Sequence, residues 1–305
     1  MQFKKSLFLN LALFFHFTVV AASSSGILVL ETDFGLKDSA VSAIKGVAYS
    51  VDQHLIISDM THEIPPYNIW EGAYRLYQAA PYWPSKTVFV VVVDPGVGSK
   101  RHSIVAKLNN GQYFVGPDNG LLTLVAHKIG IQSVRLIDES VNRLQGSETS
   151  HTFHGRDVYG YTGARLASGK ITFAEVGPLF TQPLVTLPNQ EATLINDKLK
   201  GKIMVFDPQY GNVWTDINQQ LAKQFGLAPG QTYKVTIWHQ QQKKYESELA
   251  FENTFSAMKD KQELLYLNSL MDIAIGINQG NFAKKYQLGT GPDWQVIIEK
   301  VNRYA

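Results

Sequence analysis

The chain has 305 residues, of which 45% are hydrophobic and 18% are charged, a balance typical of folded globular proteins with one large or two medium domains. Its 28 basic and 26 acidic residues give a formal net charge of +2, and this near-neutrality argues against nucleic acid as the main partner. The absence of cysteine excludes disulfides, thiolate metal sites and a cysteine nucleophile.

The first segment has the order of a secretory signal peptide. Lys4 and Lys5 precede an apolar stretch that ends at Ala22, and small residues follow, as at a signal-peptidase cleavage site. We predict a signal peptide at residues 1–22, export to the periplasm, and no stable membrane association after cleavage. The alternative is an uncleaved anchor, but a stretch of roughly 17 residues is at the short limit for crossing a bilayer, and Asn10 and His16 interrupt it.

The first half of the remaining chain alternates strand-like and helix-like patterns. Ile27–Leu30 is a short apolar run, and Leu55–Ile57 and Val88–Val93 predict two further buried strands. The last of these is apolar throughout, as parallel strands covered on both faces usually are. We therefore predict an α/β sandwich domain with a mainly parallel sheet at residues 26–180. Helical spacing lies between the first two strands, at Val41, Ile44, Val47 and Val51.

The second half has a different pattern. Pro183 and Pro188 lie in a stretch with few long apolar runs, which predicts a linker at residues 181–193. Beyond it the patterns are mostly strand-like, with little helical periodicity between them, so we predict a smaller β-barrel-like domain at residues 194–305. The strand-like segments are Lys202–Phe206, Thr232–Trp238 and Trp294–Val301.

Polar loops follow several of the strand-like runs. Taken singly, their Asp-Pro-Gly and Pro-Asp-Asn-Gly sequences are ordinary turns. Ligands bind at the C-terminal strand ends of open α/β sheets, so we expect these loops to converge on one site. The loops are Thr32–Gly35, Asp94–Gly98, Gly116–Gly120 and Thr152–Asp157.

Taken together and in this order, these loops and a fifth motif, Gly211–Thr215, resemble the S-adenosylmethionine hydroxide adenosyltransferase family, which is related to the bacterial fluorinase and chlorinase. The resemblance extends from about Ile27 to Val301. It implies an N-terminal α/β domain and a smaller C-terminal β-barrel-like domain. It also implies a homotrimer, in which the substrate lies between the N-terminal domain of one subunit and the C-terminal domain of the next.

The resemblance implies a reaction: hydrolysis of S-adenosyl-L-methionine to adenosine and L-methionine by attack of water on the 5′ carbon, without a cofactor or a metal. The leaving group is a neutral thioether, so the site mainly positions and desolvates the reactants. The family's catalytic Asp, Arg and His fall on Asp94, Arg101 and His154. We expect Asp94 to accept a hydrogen bond from water, Arg101 to keep that carboxylate ionised, and His154 to orient the water or relay its proton.

The same resemblance implies the contacts of the adenosyl group. Asp33 matches the carboxylate that holds both ribose hydroxyls, and Tyr67 stands where the fluorinase has a tryptophan against the sugar. Tyr210 and Phe255 match the positions that sandwich adenine, and Asn212 matches the residue that hydrogen-bonds its edge.

The methionine end matches the family less completely. Asp38 and Asp207 match acids that contact the amino group, and Ser269 matches a contact to the carboxylate. Leu270 falls where the fluorinase has an arginine, and Ala40 falls where it has a serine. Recognition of the amino-acid tail is therefore open, and a different 5′ substituent is an alternative.

The nucleophile can be water or a halide within this group of enzymes. Halide-using relatives resemble one another in a neutral residue at the position of Asp94 and a hydroxyl donor at the position of Gly155. A carboxylate would repel fluoride or chloride, and Gly155 has no side-chain hydroxyl. Water is the expected nucleophile.

Two other functions are compatible with parts of the sequence. One is a metal-dependent hydrolase, because ligand-type residues occur at spacings of three, although Gly155 interrupts them. The other is a periplasmic nucleoside-binding protein without turnover, which the export signal favours and the complete catalytic set disfavours. The candidate metal ligands are His151, His154, Asp157, His62 and Asp59.

Overall fold

The computed structural model of the protein describes residues 26–301. The predicted signal peptide, residues 1–22, lies outside the described residues. In the range that is described, no helix combines the length and the apolar character needed to cross a membrane. The N-terminal part runs, in chain order, through β1 (Ile27–Thr32), α1 (Ala40–Val51), β2 (Ile56–Thr61), α2 (Ile69–Ala79), β3 (Val88–Val92), β4 (Ser103–Leu108), β5 (Tyr113–Pro117), α3 (Thr123–Lys128), β6 (Ile131–Leu136) and α4 (Tyr161–Ala167).

These strands form a six-stranded sheet in the order β2-β1-β3-β5-β4-β6. The pairs β1–β2, β1–β3 and β3–β5 are parallel, whereas β4 is antiparallel to both of its neighbours. Helices α1 and α4 pack on one face through the cluster around Leu28, Ile44 and Ala164. Helices α2 and α3 cover the other face through Val29, Leu76 and their neighbours. The predicted α/β sandwich with a mainly parallel sheet is confirmed.

The burial of β3, α1 and β2 shows which sequence patterns predicted buried elements correctly. All five residues of β3 are buried, because helices cover both faces of this central strand. In α1, Val41, Ile44 and Val51 are buried as their helical spacing predicts. The prediction of a buried strand at Leu55–Ile57 is wrong for most of its length, because β2 is an edge strand and Ile56 is 52% exposed.

The C-terminal part is a closed barrel. Its elements are β7 (Thr193–Ile195), β8 (Lys198–Phe206), β9 (Val213–Asn218), α5 (Gln219–Phe225), β10 (Thr232–His239), β11 (Gln242–Phe251), β12 (Glu263–Leu267), β13 (Asp272–Ile277), α6 (Phe282–Tyr286) and β14 (Gly291–Lys300). The strands follow the order β14-β10-β11-β12-β13-β9-β8-β7, and β14 also pairs with β8. This pairing closes seven strands around one apolar core and confirms the predicted barrel-like domain.

The segment between the two folded parts is irregular but anchored. The predicted linker, residues 181–193, holds no strand before Thr193. The backbone N–H of Val185 donates to Asp118 at 2.9 Å, and the N–H of Leu187 donates to Thr123 at 2.9 Å. These bonds fasten the segment to the end of the sheet and to α3.

Helix α2 connects the sandwich to the barrel. It begins at the capping residue Asn68, whose side chain accepts a hydrogen bond from the N–H of Glu71 at 3.0 Å. Trp70 donates to the carbonyl of Met204 at 2.6 Å, and Arg75 donates to the carbonyl of Phe206 at 3.0 Å. An apolar cluster that includes Trp70 and Met204 surrounds these bonds. The two domains of one chain are therefore joined by a packed, hydrogen-bonded contact.

Candidate active site

A cavity of about 350 Å³ opens at the carboxyl ends of β1 and β3. Two of the predicted loops reach it directly from these strands, and Thr152–Gly155 closes it from the start of a π-helical turn at Gly155–Gly160. The structure thus brings three of the four predicted loops together. The residues that line this cavity include Asp33, Tyr67, Asp94 and His154.

The fourth loop has a different place. Asn119 donates to the carbonyl of Val93 at 2.8 Å, and Asp118 accepts from the linker. Burial raises the pKa of Asp118, although its hydrogen bond from Val185 and the charge of His102 act in the opposite direction. Gly116–Gly120 therefore supports the end of β3 and the linker, and it does not line the cavity.

Asp94 and Arg101 form a two-pronged ion pair beside the cavity. Nε of Arg101 lies 3.0 Å from Oδ1 of Asp94, and a terminal nitrogen lies 2.5 Å from Oδ2. The side chains are 4% and 10% exposed. The pKa of Arg101 is raised: burial is the largest single cause and lowers it, but the hydrogen bond to Asp94 and the nearby charges together outweigh burial. The two side chains therefore make a charge-assisted contact that is sheltered from solvent.

Arg101 is also held from its other side. It donates to the hydroxyl of Ser103 at 3.0 Å, and that hydroxyl lies 3.2 Å from the hydroxyl of the buried Tyr159. The guanidinium lies over the Tyr159 ring, 5.5 Å from its centroid. Ser103 and Tyr159 were not predicted from the sequence, because serine and tyrosine in apolar runs are more often core residues.

His154 joins this pair through its ring. Its Nδ1 lies 3.1 Å from the terminal nitrogen of Arg101 that also bonds Asp94. The pKa of His154 is lowered, first by burial and then by the charge of Arg101. The three residues predicted as catalytic are therefore in direct contact, with a neutral imidazole at neutral pH.

Asp33 and Tyr67 also line the cavity. The carboxylate of Asp33 accepts a hydrogen bond from the N–H of Tyr67 at 2.9 Å, and Tyr67 adopts a left-handed backbone with φ of 68°. The preceding Thr32 is held by His62 through a 2.8 Å contact. Asp33 is thus fixed in direction, and its other carboxylate oxygen has no hydrogen-bond partner among residues 26–301.

Gly155 is a close-approach position. A β carbon there would lie 3.0 Å from the ring of Phe34 and 3.4 Å from a methyl group of Val92. A side chain at this position would require the Phe34 ring, which packs edge-on against Phe153 at 5.8 Å between centroids, to shift by a few tenths of an ångström. The local packing therefore disfavours the hydroxyl donor that the sequence analysis associates with halide use.

A second cavity, of about 650 Å³, lies on the barrel. It is lined by Tyr210, Asn212 and Phe255, the three residues predicted to hold adenine, and by the segment that follows β13. Oδ1 of Asn212 is buried and has no hydrogen-bond partner in the described part of the chain. A β carbon on Gly276 would lie 2.6 Å from this oxygen, so the cavity floor requires glycine there.

Three predicted contacts to the methionine end line neither cavity. Asp38 is exposed, and its carboxylate accepts from the N–H of Ala40 at 2.9 Å, where α1 begins. Asp207 accepts from the N–H groups of Gln209 and Tyr210 at 3.1 and 3.3 Å, so it shapes the loop beside the second cavity. Ser269 is exposed in the turn between β12 and β13.

The position of Ser269 has a simple geometric cause. The second cavity contains Ile277 and Asn278, at the end of β13. Ser269 precedes the other end of that strand, and at about 3.3 Å per residue a six-residue strand separates them by roughly 20 Å. Leu270 lies at the same far end and packs in the cluster between the domains. Its difference from the fluorinase arginine therefore does not alter either cavity.

Three of the five candidate metal ligands contact arginine or lysine side chains. Both ring nitrogens of His154 face arginines, Asp157 is paired with Arg156 at 2.7 Å, and Asp59 is paired with Lys45 at 2.6 Å. Within residues 26–301, no group of three His, Cys, Asp or Glu side chains is arranged to hold a metal ion. The contacts therefore disfavour the metal-dependent hydrolase.

The chain matches two family models along most of its length. Residues 28–177 match the SAM hydroxide adenosyltransferase N-terminal domain, and residues 201–295 match the C-terminal domain of the same family.

Relatives and solved structures agree with this match. A protein of Salinispora tropica named (R)-S-adenosyl-L-methionine hydrolase is 34% identical over 83% of this chain and 90% of its own length. A protein of the same name from Methanocaldococcus jannaschii is 47% identical over 46% of this chain, and the match spans about half of that relative, 52%. The crystal structure of an uncharacterized conserved protein from Thermotoga maritima superimposes with a TM-score of 0.81 at 31% identity, covering 90% of this chain and all of that one.

The two-domain fold, the paired cavities and the matches over both domains agree. The chain belongs to the SAM hydroxide adenosyltransferase family.

Proposed function

We propose that this protein is an enzyme that hydrolyses S-adenosyl-L-methionine to adenosine and L-methionine. The observation that carries the proposal is the buried contact of Asp94, Arg101 and His154 beside a cavity that Asp33 also lines. The relatives named as (R)-S-adenosyl-L-methionine hydrolases support it. The acidic Asp94 and the closely packed Gly155 favour water over a halide as the nucleophile.

The reaction is an in-line displacement at a saturated carbon. The water oxygen forms a bond to C5′ while the C5′–S bond breaks, and the bonding electron pair goes to sulfur, which becomes the neutral thioether of methionine. The water loses a proton, and Asp94 accepts it and passes it to solvent. Both oxygens of Asp94 bond to Arg101, but each keeps a second lone pair that can accept from water.

Charge placement favours this reaction. Positive charge leaves the sulfonium and appears on the attacking water, beside the ionised Asp94. The Asp94–Arg101 pair is neutral as a whole, so it does not repel the cationic substrate. Asp33, with one oxygen that has no hydrogen-bond partner in the described part of the chain, can accept from the ribose hydroxyls and align C5′ with the water.

The product assay tests the proposal directly. We expect purified protein incubated with S-adenosyl-L-methionine to release adenosine and methionine in equal amounts, measured by chromatography. Because the relatives are named for the R configuration at sulfur, we expect the R epimer to react faster than the S epimer, and the two should be assayed separately. Saturable binding of adenosine without any product would instead favour the nucleoside-binding protein.

The assay should include 5′-methylthioadenosine and a tail-less adenosyl sulfonium, 5′-dimethylsulfonioadenosine. The sulfonium is expected to react and the neutral thioether is not, because only the sulfonium gives a neutral leaving group. A tail-less substrate that reacts as fast as S-adenosyl-L-methionine would show that the amino-acid tail is not recognised. Such a result would agree with the structure, in which neither Asp38 nor Ser269 lines either of these two cavities.

The substrate is proposed to lie between two copies of the chain in a homotrimer. The cavity lined by Asp33, which is proposed to hold ribose, and the barrel cavity lined by Asn212, which is proposed to hold adenine, share no lining residue. Each exposes a large aromatic side chain, with Tyr67 72% and Tyr210 63% exposed, as expected for surfaces that another copy covers. Head-to-tail contact between the cavities would complete each site and repeat around a ring.

Chelation provides a further prediction. We expect incubation with EDTA followed by gel filtration to leave the rate of adenosine release unchanged, because three of the candidate ligands, His154, Asp157 and Asp59, contact arginine or lysine. The rate should be measured before and after chelation, with the metal content of both samples. A loss of activity that added divalent metal restores would contradict the metal-free mechanism.

Export is proposed on the sequence of residues 1–22 alone. Fractionation of expressing cells, with mass determination of the mature N-terminus, would test it. A periplasmic protein that begins just after Ala22 is the expected result, and a cytoplasmic protein that retains Met1 would contradict it.

A further inference from the structure

His154 lies between two guanidinium groups. Its Nδ1 is 3.1 Å from a terminal nitrogen of Arg101, and its Nε2 is 3.3 Å from a terminal nitrogen of Arg143. Arg143 was not predicted as a site residue, because it lies 11 positions before His154 in a segment without a recognised motif.

The two contacts restrict the protonation of His154. Arginine nitrogens only donate, and a neutral imidazole has a single lone pair to accept with. In either tautomer, one arginine occupies that lone pair. The imidazolium has no lone pair and would place its charge beside two other cations, so protonation of His154 is opposed from both sides.

Neither arginine is free to turn away. Arg101 is fixed by Asp94 and Ser103. Arg143 donates to Glu139 at 2.5 Å, and its other terminal nitrogen donates to the carbonyls of Ser147 and Ser150 at 3.2 and 3.1 Å. Its side chain is 8% exposed.

The remaining charges around His154 are the carboxylates of Asp94 and Glu139. They raise the pKa of the imidazole, whereas burial, Arg101 and Arg143 lower it, and the net direction is downward. The ring of Tyr159 packs edge-on against His154, with 6.4 Å between centroids. Burial is the main cause that raises the pKa of the Tyr159 hydroxyl, so that hydroxyl remains neutral. The neutral imidazole therefore persists further into acid than in a free histidine.

We propose that Arg143 is a positioning residue that keeps His154 as a neutral imidazole held against the Asp94–Arg101 pair. This inference rests on the proposed hydrolysis. Its consequence is that His154 does not take the proton of the attacking water, because an arginine already occupies its lone pair. His154 instead orders the ion pair, and Asp94 is the base.

The test removes the positive charge of Arg143 by substitution. In Arg143→Met, we expect the NMR titration of His154 to move to higher pH, with the resonance assigned from His154→Gln among the 8 histidines. We also expect kcat to fall roughly tenfold at the acid end of a profile between about pH 5 and pH 8, with little change at the alkaline end or in KM. Arg143→Lys, which keeps a positive charge, should restore part of the wild-type profile.

Arg165→Met is the matched control. Arg165 donates to the carbonyl of Val141 and to Asn142, so its loss loosens the segment that carries Arg143 without removing the charge at His154. We expect the control to retain the wild-type pH profile. If Arg165→Met shifts the profile equally, or if Arg143→Met lowers kcat by one factor at every pH, the inference is wrong.

The experiment separates this inference from the proposed function. If the wild-type protein releases no adenosine, the hydrolysis proposal fails, while the NMR titration still reports whether Arg143 controls His154. If Arg143→Met does not fold, Arg143→Gln gives a second variant that also removes the positive charge but keeps a polar side chain. Its His154 titration should move to higher pH, and an unmoved titration would contradict the inference.

Discussion

Asp94→Asn is expected to lower the rate of adenosine release by roughly 10³-fold, the range that loss of a general base and of a charge beside the reacting atoms produces. Asparagine keeps the size of the side chain and one acceptor oxygen, but it cannot accept the proton of the water. Binding of adenosine should remain, because Asp33 and the barrel cavity are unaltered. Single-turnover assays and calorimetric titration with adenosine measure the two effects.

Folding must be checked in the same variant. Asp94 and Arg101 are both largely buried, and removal of one partner of a buried pair costs about 3–5 kcal/mol of stability. We therefore expect a lower Tm with an unchanged circular dichroism spectrum at 25 °C. Asp138→Asn, at an exposed loop position in the same domain, is the control and should keep full activity. A fully active Asp94→Asn enzyme would mean that another group accepts the proton.

Mixing two inactive variants is expected to restore activity. Asp94→Asn disables the cavity of the sandwich domain, and Asn212→Ala combined with Phe255→Ala disables the cavity of the barrel. If each site forms between two chains, random reassembly of an equal mixture gives about a quarter of the sites two intact halves. We therefore expect about a quarter of the wild-type rate after mild dissociation and reassembly, measured by release of adenosine.

The same mixture distinguishes a site within one chain. In that case every chain carries one disabled half, and reassembly restores nothing. Wild-type protein taken through the same dissociation gives the reference rate, and each variant reassembled alone gives the background. Light scattering of the wild-type protein should give a mass about three times the 34.1 kDa of the full chain, reduced by cleavage of the signal peptide. A monomer with full activity would contradict the composite site.

Prediction from the sequence succeeded for elements whose burial imposes a simple spacing of apolar residues. The continuous valine run of β3 and the spacing of Val41 and Ile44 in α1 follow from covered faces. β2 is an edge strand, and its first residue is half exposed, which an apolar triplet cannot reveal. Whether a short apolar run is central or at an edge depends on strand order, and strand order is set by contacts far apart in the chain.

The residues of the candidate site that could be predicted are those in motifs at the ends of strands. Asp33 and Asp94 follow parallel strands, so they meet at one edge of the sheet. Arg143 was not predictable in this way. Hydrogen bonds to two backbone carbonyls and to Glu139 hold its side chain beside His154, and such contacts leave no repeating pattern in the sequence. Ser269 was placed by resemblance alone, and the turn between β12 and β13 puts it at the other end of β13 from the second cavity.

The contact between α2 and β8 has a consequence for assembly. Trp70 and Arg75 bond to the carbonyls of Met204 and Phe206, so each chain presents its two cavities at a set angle before it meets another copy. Head-to-tail copies related by a constant rotation close into a ring when that rotation divides a full circle, and otherwise they grow into an open filament. If copies of the chain assemble head to tail as proposed, these two bonds help to determine whether they stop at a closed ring.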